Sequence, residues 1–373
     1  MRIGVPTETA PGERRVALVP DIVRKLTQQG HEVVIEAGAG ENAGLPDALF
    51  TEAGATTGDA WGAEAVLKVV SPSEGEASRL NQGSIVIGFL APLTDPEGIE
   101  RLAQRHVTAF AMEKIPRISR AQSMDALSSQ ATVSGYLAVL TAAEELPRFF
   151  PMLMTAAGTI KPAQVLVLGA GVAGLQAIAT ARRLGAVVTA TDVRPAAKEQ
   201  VASLGAKFIA VEDEEFKAAE TAGGYAKEMS KEYQAKQAAL TADHIAKQDI
   251  VITTALIPGR PAPKLISRAM VESMKPGSVI VDLAVERGGN CEGAKPGEVA
   301  DHNGVKIVGH LNVPGRLPTS ASSLYASNLY AFVETLVDKA TKQLAVKWDD
   351  ELVKATCLTR DGAVVHTAFQ PKT

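Results

Sequence analysis

Short apolar runs alternate with helical segments along the first third of the chain. Residues 20–29 are predicted to form a helix, because Ile22, Val23 and Leu26 share one face and Gly30 follows the last turn. Strands are predicted at residues 2–5, 32–36, 66–70, 85–89 and 108–111. This alternation is typical of an α/β domain built on a parallel sheet.

A second series of apolar runs begins near residue 164 and predicts a second domain of the same class. Before it, residues 125–157 are rich in Ala, Leu and Ser, which indicates a helical connection. Another long helix is predicted over residues 322–344, and a hairpin over residues 356–367, because Asp361-Gly362 suits a tight turn. The strands of the second series are predicted at residues 164–168, 187–191, 207–211, 250–253, 278–283 and 306–308.

Together these patterns predict an α/β protein with two Rossmann-like domains, whose mainly parallel sheets are joined by long helices. A chain of 373 residues is long enough for two domains. The first domain is predicted to contain residues 1–125 and 315–373, and the second residues 126–314. The late return to the first domain is expected because long helices that join paired domains commonly lead back.

The composition is that of an ordinary globular protein, and it narrows the classes of function. Hydrophobic residues make up 46% and charged residues 21%, with a formal net charge of -4, so nothing favours nucleic acid or an anionic membrane surface. The two cysteines, Cys291 and Cys357, lack Cys-x-x-Cys spacing, which favours a reducing compartment over a disulfide framework. The six histidines show no metal-ligand spacing, so no metal site is predicted.

The apolar stretches are too short to predict a membrane span. The longest, residues 133–143, is about half of the ~20 residues that a spanning helix needs, and it stops at Glu144-Glu145. Residues 1–6 are predicted as a first strand rather than a signal peptide. We therefore expect a chain that is not itself a membrane protein.

The sharpest local motif is G-x-G-x-x-G at Gly169, Gly171 and Gly174. It follows the apolar run 165–168 directly and opens a helical pattern. In such a unit the first glycine permits a tight turn, the second lets the backbone approach a pyrophosphate, and the third lets helix and strand pack closely. An isolated motif of this kind is often a plain glycine-rich turn. The strand, helix and following strand around this one favour a dinucleotide site.

An acidic residue decides which dinucleotide is expected. The next predicted strand ends at Asp192, whose carboxylate would accept hydrogen bonds from the adenosine ribose and repel a 2′-phosphate. Arg194 could favour NADP(H), but beside Asp192 it is interpreted as flanking the adenosine. NAD(H) is therefore the predicted cofactor, with Val172 and Val193 as further contacts. A second glycine cluster, Gly38-Ala39-Gly40 with Gly44, lacks the spacing and is predicted as a turn.

Several segments resemble the alanine dehydrogenase and nicotinamide nucleotide transhydrogenase superfamily over essentially the whole chain. They are residues 14–18 (R-R-V-A-L), 275–278 (K-P-G-S) and 282–289 (D-L-A-V-E-R-G-G). Alanine dehydrogenases carry a catalytic lysine in K-V-K-E-P and a catalytic histidine in F-L-H-L-A. Here those stretches read K-V-V-S-P and F-L-A-P-L, which place Val70 and Ala91 at the two catalytic positions. Arg15, which would hold a substrate carboxylate, is then better interpreted as part of a structural ion pair.

The transhydrogenase branch is favoured by the polar loop at residues 117–125, R-I-S-R-A-Q-S-M-D. The resemblance implies that Arg117, Gln122, Asp125 and Ser128 surround the nicotinamide end of bound NAD(H). Asp125 and Ser128 would hold the nicotinamide side, and Gln122 would reach toward a nucleotide on a partner. Without the resemblance, a solvated polar loop with a helix cap is the interpretation.

Two further segments carry expected cofactor contacts. Residues 212–247 form a charged, helix-prone insertion interrupted by A-G-G-Y, and the resemblance implies a mobile loop that closes over NAD(H). Gly224, Tyr225 and Gln237 would contact the cofactor; the alternative is an ordinary surface helical hairpin. Leu256 follows a predicted strand and is expected beside the nicotinamide ribose.

The resemblance implies an NAD(H)-binding component that passes hydride from NADH to NADP+ held by a partner subunit or domain. Coupling to proton translocation would run through a membrane-spanning subunit, which would place this chain on the cytoplasmic side, peripherally attached to the inner membrane. A homodimer is also implied. A soluble NAD-dependent, alanine-type dehydrogenase is the alternative, and a catalytically silent NAD-sensing module is a third interpretation.

Overall fold

The chain folds into two α/β units, each with its own sheet. The computed structural model describes residues 1–219, 229–257 and 259–370. The first unit contains Met1–Gln130 and Pro314–Thr373, and the second contains Ala131–Val313. The late part of the chain thus belongs to the same unit as its beginning.

The strands and helices follow the apolar and helical patterns of the sequence. In chain order the strands are β1 (Arg2–Val5), β2 (Glu32–Ile35), β3 (Thr56–Thr57), β4 (Ala65–Val70), β5 (Ile85–Phe89), β6 (Thr108–Ala111), β7 (Leu153–Thr155), β8 (Gly158–Ile160), β9 (Gln164–Leu168), β10 (Val187–Thr191), β11 (Lys207–Phe208), β12 (Ile250–Thr253), β13 (Val279–Asp282), β14 (Val299–His302), β15 (Val305–Val308), β16 (Cys357–Arg360) and β17 (Ala363–Val364). The α-helices are α1 (Pro20–Gln28), α2 (Asp47–Glu52), α3 (Glu74–Ala77), α4 (Pro96–Gln104), α5 (Ala126–Glu145), α6 (Val172–Arg183), α7 (Ala197–Ser203), α8 (Glu214–Lys217), α9 (Lys231–Ile245), α10 (Arg268–Ser273), α11 (Pro318–Leu336) and α12 (Glu351–Thr356). Short 3-10 helices are formed by Glu41–Ala43, Met112–Lys114, Ser119–Met124, Val285–Arg287 and Val313–Arg316.

The sheet of the first unit has the order β17-β16-β6-β5-β4-β1-β2-β3. Its strands from β6 to β3 pair in parallel, which confirms the predicted α/β class. The second glycine cluster is confirmed as a turn, because Glu41–Ala43 forms a 3-10 helix that ends at Gly44.

The C-terminal segment completes this first sheet. Strand β16 pairs antiparallel with β6, and the predicted hairpin is confirmed by β16 and β17, which turn at Asp361 (φ 52°) and Gly362 (φ 83°). Helix α11 buries Phe332 against Phe110 of β6, with ring centroids 5.6 Å apart. This helix begins and ends earlier than the predicted residues 322–344, because Pro318 occupies its first turn and the helix stops at Leu336.

The sheet of the second unit has the order β11-β10-β9-β12-β13-β15-β14. All its pairs are parallel except β14 with β15. From β9 the chain moves outward first to one side and later to the other, so the strand order reverses between β9 and β12. Ligands of open α/β sheets bind outside the carboxyl ends of the strands at such a reversal.

The connection predicted over residues 125–157 is only partly helical. Helix α5 ends at Glu145, and an antiparallel hairpin of β7 and β8 follows. Pro147 and Pro151 account for this difference, because proline inside a helix loses a hydrogen bond and clashes with the preceding turn. Within the described residues of the chain, even the longest helices fall short of the length and apolarity needed to cross a bilayer.

The predicted insertion at residues 212–247 contains two helices, α8 and α9, on either side of residues 220–228. Gly224 and Tyr225 lie outside the described residues. Helix α9 starts at a capped end, because the Ser230 side chain accepts a hydrogen bond from the backbone N–H of Tyr233.

Candidate functional site

The glycine motif of the second unit forms the turn between β9 and α6. Gly169 has a φ of 100°, and a side chain there would lie 2.6 Å from the hydroxyl of Thr254. A side chain at Gly174 would overlap the carbonyl oxygen of Gly169. At Gly171, by contrast, a Cβ would meet no described atom within 4 Å. Two glycines are therefore required by packing, and the third leaves open space above the turn.

That open space lies at the start of a twelve-residue helix. Helix α6 has Gly171 at its N-cap, where a glycine offers no side chain to bond the first N–H groups. Unbonded N–H groups and the helix dipole favour an anion at this position. The turn therefore fits the pyrophosphate of a dinucleotide.

Asp192 is tied both to this turn and to Arg194. Its Oδ2 accepts hydrogen bonds from the backbone N–H of Ala170 at 2.8 Å and from Nη2 of Arg194 at 2.9 Å. Its Oδ1 accepts from the backbone N–H and Nε of Arg194, both at 2.9 Å. The Asp192 side chain is 7% exposed and that of Arg194 28%. The predicted ribose-binding carboxylate is thus fixed beside the glycine turn at the carboxyl end of β10.

Gln237 of α9 reaches the same edge of the sheet. Its Nε2 donates to the hydroxyl of Thr191, the residue before Asp192, at 3.1 Å, and its Oε1 accepts from the backbone N–H of Val211 at 3.0 Å. Nearby, the Tyr233 hydroxyl donates to the Val211 carbonyl at 3.1 Å, and burial raises the pKa of Tyr233 to about 12. Tyr233 therefore stays neutral at physiological pH and anchors α9.

The loop after β12 is held by a side chain that the sequence did not single out. Asn290 is fully buried, and its Oδ1 accepts from the backbone N–H of Ala255 at 3.0 Å. Its Nδ2 donates to the carbonyls of Ala255 and Pro263, both at 2.8 Å. The Thr254 hydroxyl donates to the Gly169 carbonyl at 3.0 Å, so this loop is also joined to the glycine turn. The partners of Asn290 are backbone atoms distant in sequence, which leave no residue-type signal.

Large apolar side chains are exposed at the carboxyl ends of three adjacent strands. They follow β9, β10 and β12, and they are Val172, Val193, Leu256 and Ile257. Ligand crevices are commonly lined by apolar side chains with a few fixed polar groups among them. Of the predicted cofactor residues in the second unit, the described ones therefore gather at the reversal of strand order.

The predicted polar loop belongs to the first unit and contains the 3-10 helix Ser119–Met124. Asp125 caps the following helix, because its Oδ1 accepts from the backbone N–H of Ser128 at 2.9 Å and its Oδ2 from the Ser128 hydroxyl at 2.6 Å. Arg117 and Gln122 are exposed. The four residues thus form a capped turn with two polar side chains at the surface.

The polar loop is anchored to the C-terminal segment. Arg120 binds Asp350 through two hydrogen bonds of 2.7 and 3.0 Å and also contacts Glu351 at 3.1 Å. The Asn328 side chain donates to the carbonyl of Ser123 at 2.8 Å. Helices α11 and α12 therefore fix the backbone on which Gln122 is mounted.

In the first sheet, the strand order reverses at a buried ionic cluster. Lys68 is fully buried and contacts Glu8 at 2.9 Å and Glu76 at 3.0 Å. Burial raises the pKa of Glu8, which opposes the effect of the neighbouring Lys68 ammonium. Arg15 is 7% exposed and binds Glu13 at 2.6 Å, which confirms the interpretation as a structural ion pair.

The described residues contain no group of three or more His, Cys, Asp or Glu side chains placed to hold a metal ion. His244 lies 2.9 Å from the Thr189 hydroxyl, and His302 lies 3.3 Å from Glu272. Burial lowers the pKa of His244, so its ring is neutral at physiological pH.

Two family models match the chain in sequence. The alanine dehydrogenase/PNT N-terminal domain matches residues 4–134, and the alanine dehydrogenase/PNT C-terminal domain matches residues 138–367. Together they cover nearly all of the chain.

Named relatives fall in both branches of that family. The chain is 56% identical over 379 residues to the first of the polypeptides that make up NAD(P) transhydrogenase subunit alpha in Rhodospirillum rubrum, with 99% of each chain covered. It is 33% identical over 378 residues to alanine dehydrogenase of Mycobacterium tuberculosis, with 98% of this chain and 95% of the relative covered. A solved structure of transhydrogenase from Sinorhizobium meliloti is 58% identical and superposes with a TM-score of 0.90, covering 98% of this chain and all of that one.

Proposed function

The chain belongs to the alanine dehydrogenase/PNT family, and from that premise we propose that it is the NAD(H)-binding component of a nicotinamide nucleotide transhydrogenase. In this role it would hold NADH and present it to NADP+ on a partner subunit or domain. The name of the Rhodospirillum rubrum relative describes a subunit alpha that is itself divided, which supports an enzyme built from several polypeptides.

The described contacts support NAD(H) as the dinucleotide of the second unit. Gly169, Gly171 and Gly174 would seat the pyrophosphate at the start of α6, and Asp192 would accept hydrogen bonds from the adenosine ribose. The remaining contacts in this unit would come from exposed apolar and polar side chains. They are Val172, Val193, Arg194, Gln237 and Leu256, with Gly224 and Tyr225 from the segment outside the described residues.

The chemistry asks mainly for position. When bound, the nicotinamide supplies the hydride-donating carbon, and the protein supplies orientation and electrostatics. Reacting atoms must approach within about 3–3.5 Å, so the chain has to hold one ring face open toward the partner. We propose that Asp125 and Ser128 orient the ring, while Arg117 and Gln122 lie at the face that meets the partner's nucleotide.

One observation favours hydride transfer between nucleotides over oxidation of an amino acid. The basic side chains of the first unit that could meet an amino-acid substrate are committed to carboxylates of the same chain, Arg15 to Glu13 and Lys68 to Glu8 and Glu76. Val70 and Ala91 at the positions of the dehydrogenase lysine and histidine carry no group for acid–base work.

We also propose the assembly that this role requires. A membrane-spanning partner would couple hydride transfer to proton translocation and hold this chain peripherally on the cytoplasmic side of the inner membrane. A homodimer is proposed as well, supported by exposed apolar side chains around the β7–β8 hairpin, Phe149, Met152 and Met154.

The test reconstitutes transfer from purified proteins. The chain is mixed with a recombinant NADP(H)-binding partner subunit, NADPH and the acetylpyridine analogue of NAD+, whose reduced form absorbs at a longer wavelength than NADPH. We expect transfer that requires both proteins. Gln122→Asn and Asp125→Asn should each slow it by about 10–100-fold, because small misplacements of reacting groups are costly.

Gln104→Asn provides the matched control, since Gln104 is an exposed glutamine of the same unit, at the end of α4. Its transfer rate should equal that of the unaltered chain. The proposal fails if the chain binds NADH but supports no transfer with the partner, while it alone oxidises L-alanine with NAD+. The alanine-type dehydrogenase would then be the function.

A further inference from the structure

The ion pair between Asp192 and Arg194 saturates the carboxylate at the predicted ribose position. Each carboxylate oxygen accepts two hydrogen bonds, and three of the four donors belong to Arg194. A carboxylate has about four acceptor positions. A ribose hydroxyl that donates to Asp192 must therefore share it with the Arg194 guanidinium, which lies beside the ribose 2′ position.

A guanidinium at this place is chemically suited to a 2′-phosphate. Arginine presents a planar set of N–H donors that matches phosphate oxygens, and charge-assisted pairs of this kind are about twice as strong as neutral hydrogen bonds. Arg194 is 28% exposed, so its outer donors face the space in which the ribose would lie. The chain thus carries a phosphate-binding group next to the group that rejects phosphate.

We propose that Asp192 and Arg194 together form the element that selects NAD(H) over NADP(H) in this chain. Asp192 repels the 2′-phosphate directly, and by holding Arg194 in a bidentate ion pair it also prevents that side chain from acting as a phosphate ligand. The inference rests on the proposed NAD(H)-binding role. Selection matters for that role, because a site that also took NADPH would let NADPH occupy the place of NADH.

Asp192→Asn is the informative change, because asparagine keeps the shape and an acceptor for the Ala170 N–H but removes the charge. NADH affinity should fall by roughly 10-fold, the value of one charge-assisted hydrogen bond. NADPH affinity should rise by roughly 10-fold or more, because repulsion is lost and Arg194 becomes available. Dissociation constants for both nucleotides are measured by fluorescence titration of the full chain.

The double variant Asp192→Asn/Arg194→Ala separates the two contributions. It should lose most of the gain in NADPH affinity, whereas Asp192→Asn/Lys198→Ala should keep it. Lys198 is the matched control, a cation four residues further along that is paired with Glu212 at 2.6 Å. Thermal melting checks that each variant folds, and Asp192→Ser replaces Asp192→Asn if the latter does not.

The inference is overturned if Asp192→Asn gains no NADPH affinity, or if the gain survives replacement of Arg194. It is also overturned if Lys198→Ala removes the gain equally, since the effect would then be general electrostatics. An unaltered chain that binds neither nucleotide would remove the proposed function as well. If it binds NADH and supports transfer while the variants fail as described, the selectivity element alone is wrong.

Discussion

At the scale of single residues, the three glycines of the β9–α6 turn do different work. Gly174 is required because any side chain there overlaps the Gly169 carbonyl, and Gly169 is required by its positive φ. Gly171 has an ordinary φ of -75° and open space beside it. The fold itself does not need a glycine at Gly171, so its value must lie in what approaches it.

This difference predicts opposite effects of two alanine substitutions. Gly174→Ala should destabilise the chain by about 1–3 kcal/mol, because the added methyl group forces α6 away from β9. Gly171→Ala should leave stability equal or slightly higher, since alanine restricts the unfolded chain, yet weaken NADH binding at least about 10-fold by obstructing the pyrophosphate. Thermal unfolding and NADH titration measure the two quantities.

Gly75→Ala is the control for these substitutions, because Gly75 also has open space beside it but lies in α3 of the first unit. It should change neither melting temperature nor NADH affinity appreciably. If Gly171→Ala binds NADH as tightly as the unaltered chain does, the pyrophosphate does not approach this region of the backbone.

At the scale of elements, the loop after β12 depends on one buried amide. Asn290 bonds both backbone groups of Ala255 and the carbonyl of Pro263, so the segment that carries Leu256 cannot shift without breaking these bonds. Buried backbone groups left without partners cost free energy. The position of Leu256 is therefore set by a residue 34 places further along the chain.

Replacing this amide should uncouple the nicotinamide end of the site from the adenosine end. Asn290→Ala is expected to lower stability by about 1–3 kcal/mol through unsatisfied backbone groups. It should also weaken NADH binding several-fold while leaving ADP-ribose, which lacks nicotinamide, nearly unaffected. Asn81→Ala removes an exposed amide of the first unit and should change neither affinity. Equal losses for NADH and ADP-ribose would contradict a role at the nicotinamide end.

The elements differ in how far the sequence could predict them. Strands such as β9 and β12 are continuous apolar runs buried in the sheet, and their bounds are those predicted. The edge strand β14, V-A-D-H, has no apolar run and alternates between exposed and partly buried residues, so its pattern is that of a loop. The pattern at the β7–β8 hairpin predicts helix, wrongly, because its residues are individually compatible with both.

The site shows the same division. Gly169, Gly171, Gly174 and Asp192 form a motif of fixed spacing whose roles depend on residue type, and the sequence singled them out. Asn290 escaped notice because its contacts are with backbone atoms. The anchoring of the polar loop by Arg120 and Asp350 also escaped, since a pairing across 230 residues leaves no trace in local periodicity.

At the scale of the whole molecule, the exposed hairpin supports association of two copies. Met154 is 78% exposed, and Phe149 and Met152 are each 57% exposed, which is unusual for large apolar side chains grouped in one short segment. Burial of such a surface against an identical one would be favourable.

A charge placed on this hairpin should therefore separate the copies. The unaltered chain is expected to sediment at twice its mass of 39.0 kDa, and Met152→Glu/Met154→Glu at 39.0 kDa, because burying the added carboxylates is costly. Leu93→Glu, at another exposed apolar position with 54% exposure, should remain dimeric. Sedimentation that finds the unaltered chain monomeric, or the hairpin variant still dimeric, would contradict this assembly.

The discontinuous first unit also has a consequence for biosynthesis. Its strand β6 receives β16 as a neighbour only when Cys357–Arg360 has been translated, and until then β6 is an edge of the growing sheet. Some 250 residues separate the two strands, which at the usual 5–20 residues per second is roughly 12–50 s on the ribosome. During that interval the nascent chain presents an unpaired strand edge of the kind that recruits other strands, while the whole second unit emerges and folds. The order of synthesis thus makes the earliest region of the protein the last to be finished.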